Sequence, residues 1–393
     1  MERIACIPRD NWQQKVEAAG LTYHTPESED PDGPQLDRAY WDETACYEFT
    51  AKEIDTLEAA GNTLQSMCLE AAQHIVDRKL YPELNIPTAA VPAIEWAWEN
   101  APPAIYGRFD IAYNGVDPPK LLEYNADTPT ALLEAAVIQW AWLEEQHPNC
   151  DQFNSIHERL IAKWQDVAPY LSKPVYFAGL DNAEDQLTLA YLRDTAEQAQ
   201  LPTVPVLMEE IGWNADRQAF VDPDERQMFS IFKLYPWEMM LEEEFGPAAL
   251  ETYKDIRWIE PIWKMLFSNK GLLPVLWELF PGHELLLEAY FDGHPHQMKS
   301  YVRKPLQSRE GVNITMVRDG RTIAMSDGPY AGPQVVQALA PDAIFPDSQR
   351  PGESRYPVCG LWMVDQDCCG LGIRESGSPI TGNLSSFVPH FFC

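Results

Sequence analysis

AIYGRFDIAYN (residues 104–114), GVDPP (115–119) and KLLEYNAD (120–127) decide how this chain reads: two stretches of alternating residues separated by Gly, Asp and Pro. Such alternation around turn chemistry predicts a β-hairpin. Successive side chains of a strand point to opposite faces, so Arg108 and Asp110 share one face of the first strand and Glu123 and Asn125 one face of the second. Paired, the strands bring one arginine and three oxygen-bearing side chains together. The run TALLEAAVIQWAWLEEQ (130–146) carries helix-forming residues and an apolar stripe, so the hairpin leads directly into a helix.

Two carboxylates and an amide make an oxygen-only donor set, suited to Mg²⁺ bridging a nucleotide's phosphates and unsuited to zinc. Arg108 beside them would face negative charge on a phosphoryl group in transit. A solvated sheet face with a surface salt bridge, Arg108 to Asp110 or Glu123, is the more ordinary account of the hairpin alone. The continuation Asn125-Ala-Asp127-Thr128-Pro-Thr130 places a carboxylate and hydroxyls at the start of the next helix, where free N–H groups can bind an anion. Helix capping by Asp127 or Thr128 accounts for the same residues.

Outward from the hairpin, Leu57, Ala60, Leu64, Met67, Cys68 and Ala71 recur at three- and four-residue steps, predicting a helical N-terminal lobe with periodicity from about 35 to 80. The preceding PESEDPDGP (26–34) reads as a surface loop. PVYFAGL (174–180), AEDQLTLAYLRDTAEQA (183–199) and TVPVLM (203–208) have the strand–helix–strand spacing of a parallel βαβ unit. The apolar stretch 255–292 reads as buried and mostly helical, broken at Pro261, Pro274 and Pro281. The remainder, from KSYVRKPL (299–306) to CCGLGIRES (368–376), is β-rich and predicts an antiparallel sheet.

The chain is long enough for one multi-lobed enzyme or two to three subdomains, and its 13 Trp, 16 Tyr and 15 Phe set it apart from disordered chains. Its 60 Asp and Glu against 29 Lys and Arg give a net charge of −31, which repels phosphate backbones and argues against a nucleic-acid partner. Such acidity is compatible with a cationic small molecule, although it equally well serves solubility. No stretch approaches a bilayer-crossing length and the N-terminus has no signal-like apolar core, so the reading is cytoplasmic, without a membrane partner. Its eight cysteines show no CxxC spacing and read as reduced thiols; adjacent Cys368 and Cys369 would point to opposite faces of a strand.

No GxxxxGK[ST], GxSxG or HExxH motif occurs, and Gly370-Leu-Gly372 is followed by Glu375 where a third glycine belongs. A second polar group lies further on. Lys304 ends a strand, and Ser308-Arg309-Glu310-Gly311 forms a turn that suits a glycine-containing hairpin lid over phosphates. Lys270, after Ser268 and Asn269, is either a phosphate-facing cation or a lysine snorkelling from a buried helix.

In order, YGRFD, KLLEYNADTPT, FKLYPWE, SNKGLLPVLWELFPGH, YVRKPLQSREG, CGLGIRE and FVPH resemble the glutathionylspermidine synthetase family, in particular its short bacterial acid–amine ligases, from about residue 23 to the C-terminus. The resemblance implies an α+β to α/β chain of ATP-grasp fold. It also implies an ATP- and Mg²⁺-dependent reaction in which a carboxylate becomes an acyl phosphate that an amine attacks. On that pattern Asp110, Glu123 and Asn125 hold Mg²⁺ and Arg108 stabilises the transferring phosphoryl group. Lys270 and Lys304 contact ATP with Asp110, Gly311 belongs to the lid, and Gln337, Ala338, Leu339 and Ala340 line the adenine site. Thr128 and Thr130 fall where the family has small hydroxyl residues near the peptide substrate, Arg374 matches a substrate-binding arginine on the terminal strands, and Glu184 and Asp185 match an acidic pair near the amine, although a helix dipole equally explains that acidic pair.

The bifunctional members add an N-terminal amidase, whereas this chain begins directly in the synthetase-like part. The QALA run and the loop DAIFPDSQRPGESRYP (342–357) also depart from the family pattern. The expected division is a helical lobe (1–100), the metal-binding hairpin with its helices (101–172), an α/β subdomain (173–212) and an ATP-binding region with lid and C-terminal sheet (213–393). The expected substrates are a glutathione-like carboxylate and a polyamine-like amine. The rival expectations are a regulatory protein that binds ATP, polyamine or peptide without catalysis, and a kinase that releases the phosphorylated carboxylate.

Overall fold

The fold comes from a computed structural model, described for residues 1–25, 38–382 and 385–393. The hairpin forms as its alternation requires. Strands Tyr106–Ala112 and Lys120–Asn125 pair antiparallel with Arg108 opposite Asn125 and Asp110 opposite Glu123, and a bulge follows Asp110. Phe109 and Ile111 on the other face are 0% exposed, and Phe109 stacks on Tyr124 with ring centroids 3.8 Å apart. Each such aromatic contributes roughly 1.5–3 kcal/mol by burial, which leaves Arg108 and Asp110 on the opposite face.

The hairpin is one side of a larger sheet. Ser354–Val364 pairs antiparallel with Tyr106–Ala112, and Asp367–Ser376 pairs with Ser354–Val364. Gly360 stands opposite Asp110, and a Cβ there would lie 2.7 Å from Cδ of Arg108, so a glycine lets the arginine stem cross its neighbour strand. Cys368 packs in one core cluster and Cys369 in the other, on opposite faces as alternation requires.

The βαβ unit is present: Val175–Gly179, helix Ala183–Gln198 and Thr203–Leu207, with the two strands parallel. Ser230–Lys233 and Arg257–Ile259 extend this parallel sheet to four strands. A five-stranded antiparallel sheet holds Ala289–Phe291, Gln334–Ala338, Tyr301–Pro305, Thr315–Arg318 and Arg321–Met325, in that order. The protein is thus a mixed α/β structure of several sheets.

Three expectations change. The helix of the N-terminal region is Ala51–Arg78, started by a capping box between Thr50 and Glu53, and strand Ala45–Phe49 precedes it. The helical stripe is real, but residues 45–49 are buried on both sides and carry no helical period; PESEDPDGP lies outside the described residues. Within 255–292 helix is confined to the 3₁₀ turn Ile262–Leu266 and Leu272–Leu279, flanked by strands. Pro274 occupies the first turn of Leu272–Leu279, where a missing N–H breaks no helical bond. Finally, Cys150 and Cys393 form a disulfide, against the reading of reduced thiols. Their sequence separation of 243 hid the pair; residue 393 reaches residue 150 because His390–Phe392 lies parallel to Ala45–Phe49 and Phe392 bridges Asp151. Among the described residues no helix is long and apolar enough to cross a membrane.

Candidate functional site

Between the hairpin sheet, the parallel sheet and the five-stranded sheet opens a cleft of about 720 Å³. At its centre Arg108 forks onto Asp110, Nε to Oδ1 at 2.7 Å and Nη2 to Oδ2 at 3.2 Å, while Nη1 donates to the Thr130 carbonyl at 2.7 Å. The guanidinium also lies over the Trp362 ring, 5.5 Å from its centroid. Burial opposes its charge, yet Asp110 and Glu123 hold the Arg108 pKa above its ordinary value. Asn125 Nδ2 reaches Asp110 Oδ2 at 3.1 Å and Glu123 Oε1 at 3.4 Å, so the three oxygen-bearing side chains converge.

Two lysines flank this group. Lys270 Nζ meets Glu123 Oε2 at 2.9 Å and donates to the Ser308 carbonyl. It sits in the turn before Leu272–Leu279, 8% exposed, and so is no snorkelling lysine. Lys304 donates to Leu122 O at 3.0 Å and Gln337 Oε1 at 2.9 Å, and Gln337 donates to Leu121 O at 2.9 Å. That lattice ties the hairpin to the five-stranded sheet. Burial opposes the charge of Glu123, but Lys270 and Lys304 win and hold its pKa down at about 2. Lys304 goes the other way: burial lowers it to about 8 against the attraction of Glu123.

The turn that carries Gly311 joins Tyr301–Pro305 to Thr315–Arg318, which pair as a hairpin. Gly311 has φ +67°, and a Cβ on it would collide with the Thr381 carbonyl. The cleft is lined by Arg108, Asp110, Glu123, Asn125, Thr128, Thr130, Glu184, Asp185, Lys270, Lys304, Gly311, Gln337, Ala338, Leu339, Ala340 and Arg374, so the residues that the resemblance implies for nucleotide, metal and substrates share one space, while Asp127 is buried outside it. Val302, Met316, Ile323 and Ile344 add apolar walls to the cleft.

Asp127 and Thr128 do not cap the following helix. Asp127 Oδ1 accepts from Lys233 Nζ at 2.6 Å and Oδ2 from Trp237 N at 2.9 Å, both buried. The Thr128 hydroxyl accepts from Arg309 Nη1 at 2.7 Å, and Arg309 Nη2 binds Glu238 Oε1 at 2.7 Å. Ser268 Oγ accepts from the backbone N–H groups of Ala126 and Asp127 at 3.0 and 2.9 Å. Sequence reasoning assigned no role to Lys233 or Ser268, and it placed Arg309 only in the turn expected to form a lid. All three lie inside stretches it had already singled out, FKLYPWE, SNKGLL and QSREG, and for Lys233 the charge between Phe232 and Leu234 was the signal. The Asp185 carboxylate accepts from Leu180 N at 3.2 Å, and Asn182 caps the helix through Asp185 N at 2.9 Å. Burial, with neighbouring Glu184 adding to it, keeps the Asp185 pKa raised against the Leu180 bond.

A family model described as glutathionylspermidine synthase preATP-grasp matches residues 3–393. A Haemophilus influenzae protein described as "Putative acid--amine ligase" is 36% identical, with 100% of both chains covered. Trypanothione synthetase of Crithidia fasciculata is 29% identical over 84% of this chain and 54% of its own length. The bifunctional glutathionylspermidine synthetase/amidase of Escherichia coli is 27% identical over 69% of this chain and 48% of its own. This chain thus spans about half of those two larger enzymes.

Proposed function

This chain belongs to the glutathionylspermidine synthase preATP-grasp family, whose members are amide-forming ligases, and from that premise we propose an ATP-grasp ligase that uses ATP and Mg²⁺ to join a peptide or amino acid carboxylate to an amine. One observation carries the reading: Arg108 stands against Asp110, beside Glu123 and Asn125, in the same cleft as the paired cations Lys270 and Lys304.

The donor set fits magnesium. Asp110 and Glu123 offer carboxylate oxygens, and turning over the Asn125 amide, whose nitrogen now faces both, offers a third oxygen. Among the described residues there is no group of three or more His, Cys, Asp or Glu that could hold a metal; Asp110, Glu123 and Asn125 would supply part of the oxygen ligands of Mg²⁺, an ion that commonly keeps water and substrate phosphate among its ligands. The ion, when bound, offsets charge on the nucleotide's phosphate oxygens.

The chain's own groups do the rest. Lys270 and Lys304 hold the phosphates, and the Ala338–Ala340 backbone with its apolar walls takes the base. A carboxylate oxygen of the acid, held near Thr128, Thr130 and Arg374, attacks the γ-phosphorus and displaces ADP. Arg108, charged at any working pH, attracts the phosphoryl oxygens in transit. An amine collected beside Glu184 and Asp185 then attacks the acyl carbon, loses a proton and releases phosphate.

The test is ADP release across a matrix of carboxylates and amines, with glutathione and spermidine as the first pair. Release that rises only when both partners are present supports the ligase. Release no faster with any pair than with ATP alone overturns it.

A further inference from the structure

Six cysteines stay free beside the Cys150–Cys393 cross-link, and two of them meet. Strand Glu2–Ala5 is the edge of a three-stranded sheet, paired antiparallel with Ala45–Phe49 so that Ile4 stands opposite Cys46. The pairing continues one residue past the strand, where Cys6 N donates to Thr44 O at 2.9 Å. There the Cys6 and Cys46 Sγ atoms lie 2.9 Å apart. Even carbon atoms in contact rest at roughly 3.5–4.0 Å, and a disulfide bond is about 2.05 Å long, so closing this pair asks for about 0.9 Å of further movement.

The two thiols are unequal. Cys46 is 0% exposed, whereas Cys6 sits between exposed Ala5 and Ile7 and is, among the described residues, the one free cysteine that is not buried. The hydrogen bond with Cys46 lowers the Cys6 pKa, and Arg3 adds to that, against burial and the charges of Asp42 and Glu43. Cys46 goes the other way, raised first by its hydrogen bond with Cys6 and then by burial. The strand that carries Cys6 also has work to do. It has a single neighbour in its sheet, and from it Arg3 reaches Glu375, Nε to Oε2 at 2.7 Å and Nη2 to Oε1 at 2.8 Å.

We propose that Cys6 and Cys46 are a modification site: a small-molecule disulfide such as glutathione disulfide reacts at Cys6, and Cys46 resolves the adduct into a second cross-link that staples the N-terminal strand to its neighbour. The Cys6 thiolate attacks one sulfur of the oxidant, breaks its S–S bond and expels one glutathione thiolate. Capping Cys6 removes the partner that raised the Cys46 pKa, and the Cys46 sulfur then attacks Cys6 Sγ; its proton leaves with the second glutathione. Two protein thiols are oxidised and one disulfide is reduced to two thiols. The site is independent of the ligase reading, since neither cysteine lines the cleft.

The test treats the full chain with glutathione disulfide, blocks remaining thiols with N-ethylmaleimide, digests without reduction and reads the peptides by mass spectrometry. We expect a linked peptide joining Cys6 to Cys46 that grows with the ratio of glutathione disulfide to glutathione. In the linked protein, hydrogen exchange at the Glu2–Ala5 amides bonded to Ala45–Phe49 should slow about tenfold, because the staple opposes local opening of a terminal strand. Cys46→Ala keeps the attacking sulfur and removes the resolving one, so Cys6 should hold a stable glutathione adduct that the wild type does not accumulate. Cys6→Ala should leave Cys46 unmodified. The wild-type peptides decide the pair whether or not either variant folds: no linked peptide even in glutathione disulfide alone overturns it. A glutathione adduct on Cys46 in Cys6→Ala overturns the order of attack, and a linked protein whose terminal strand exchanges as fast as the reduced one overturns the staple.

Discussion

At the scale of single residues, the polar face of the hairpin was legible because alternation forces it: Phe109 and Ile111 bury, so Arg108 and Asp110 share the other side. Replacing Arg108 with Ala should lower kcat by about 10²–10³, or roughly 3 kcal/mol of transition-state stabilisation, while ATP affinity measured by calorimetry stays within a few-fold. Lys304 predicts a pH dependence. Its pKa of about 8 is below the ordinary lysine value because of burial, and anionic phosphates favour its charged form. ATP binding between about pH 8 and 9 should therefore take up a proton and weaken as pH rises, detected by titrations in buffers of different ionisation enthalpy. What was not legible is what Asp127 does. Its partner Lys233 is 106 residues away in sequence, and a local reading could offer only a helix cap. Removing one member of that buried pair, as in Lys233→Met, strands a charge and should destabilise the protein by about 3–5 kcal/mol, seen as a loss of melting temperature.

At the scale of elements, patterns with a strict period were read correctly and buried apolar runs were not. The βαβ unit and the hairpin announce themselves by alternation, helix-forming composition and turn residues. Arg257–Ile259 and Ala45–Phe49 do not, because a strand buried on both faces has no period and resembles a buried helix over so few residues. The turn at Gly311 was legible from its glycine, yet the need for that glycine lies elsewhere in the chain, in the Thr381 carbonyl that leaves no room for a Cβ. Gly311→Ala should therefore push the turn off the 379–382 segment, raising the KM for ATP several-fold while the melting temperature falls by only a few degrees, since one left-handed residue costs about 1 kcal/mol. Equal losses of nucleotide affinity and global stability would count against a lid role.

At the scale of the whole molecule, the cross-link Cys150–Cys393 closes a loop with a sequence separation of 243. By chain entropy alone such a closure stabilises by about 5 kcal/mol, an upper figure. Reduction, or Cys393→Ser, should lower the melting temperature, and the reduced wild type and the variant should melt together; a variant that melts like the oxidised protein would deny the cross-link a stabilising part. Sequence spacing held no sign of this pair, because only the parallel pairing of His390–Phe392 with Ala45–Phe49 brings the two cysteines together. The central sheet has a consequence of another kind, in time. Arg108 and Asp110 pair with Trp362 and Gly360, so one edge of the hairpin waits for a strand that emerges far later. At roughly 5–20 residues per second of synthesis, that wait lasts on the order of tens of seconds. During it, a nascent chain presents an open strand edge carrying its most reactive charges, with nothing beside it but the ribosome and whatever chaperone covers it.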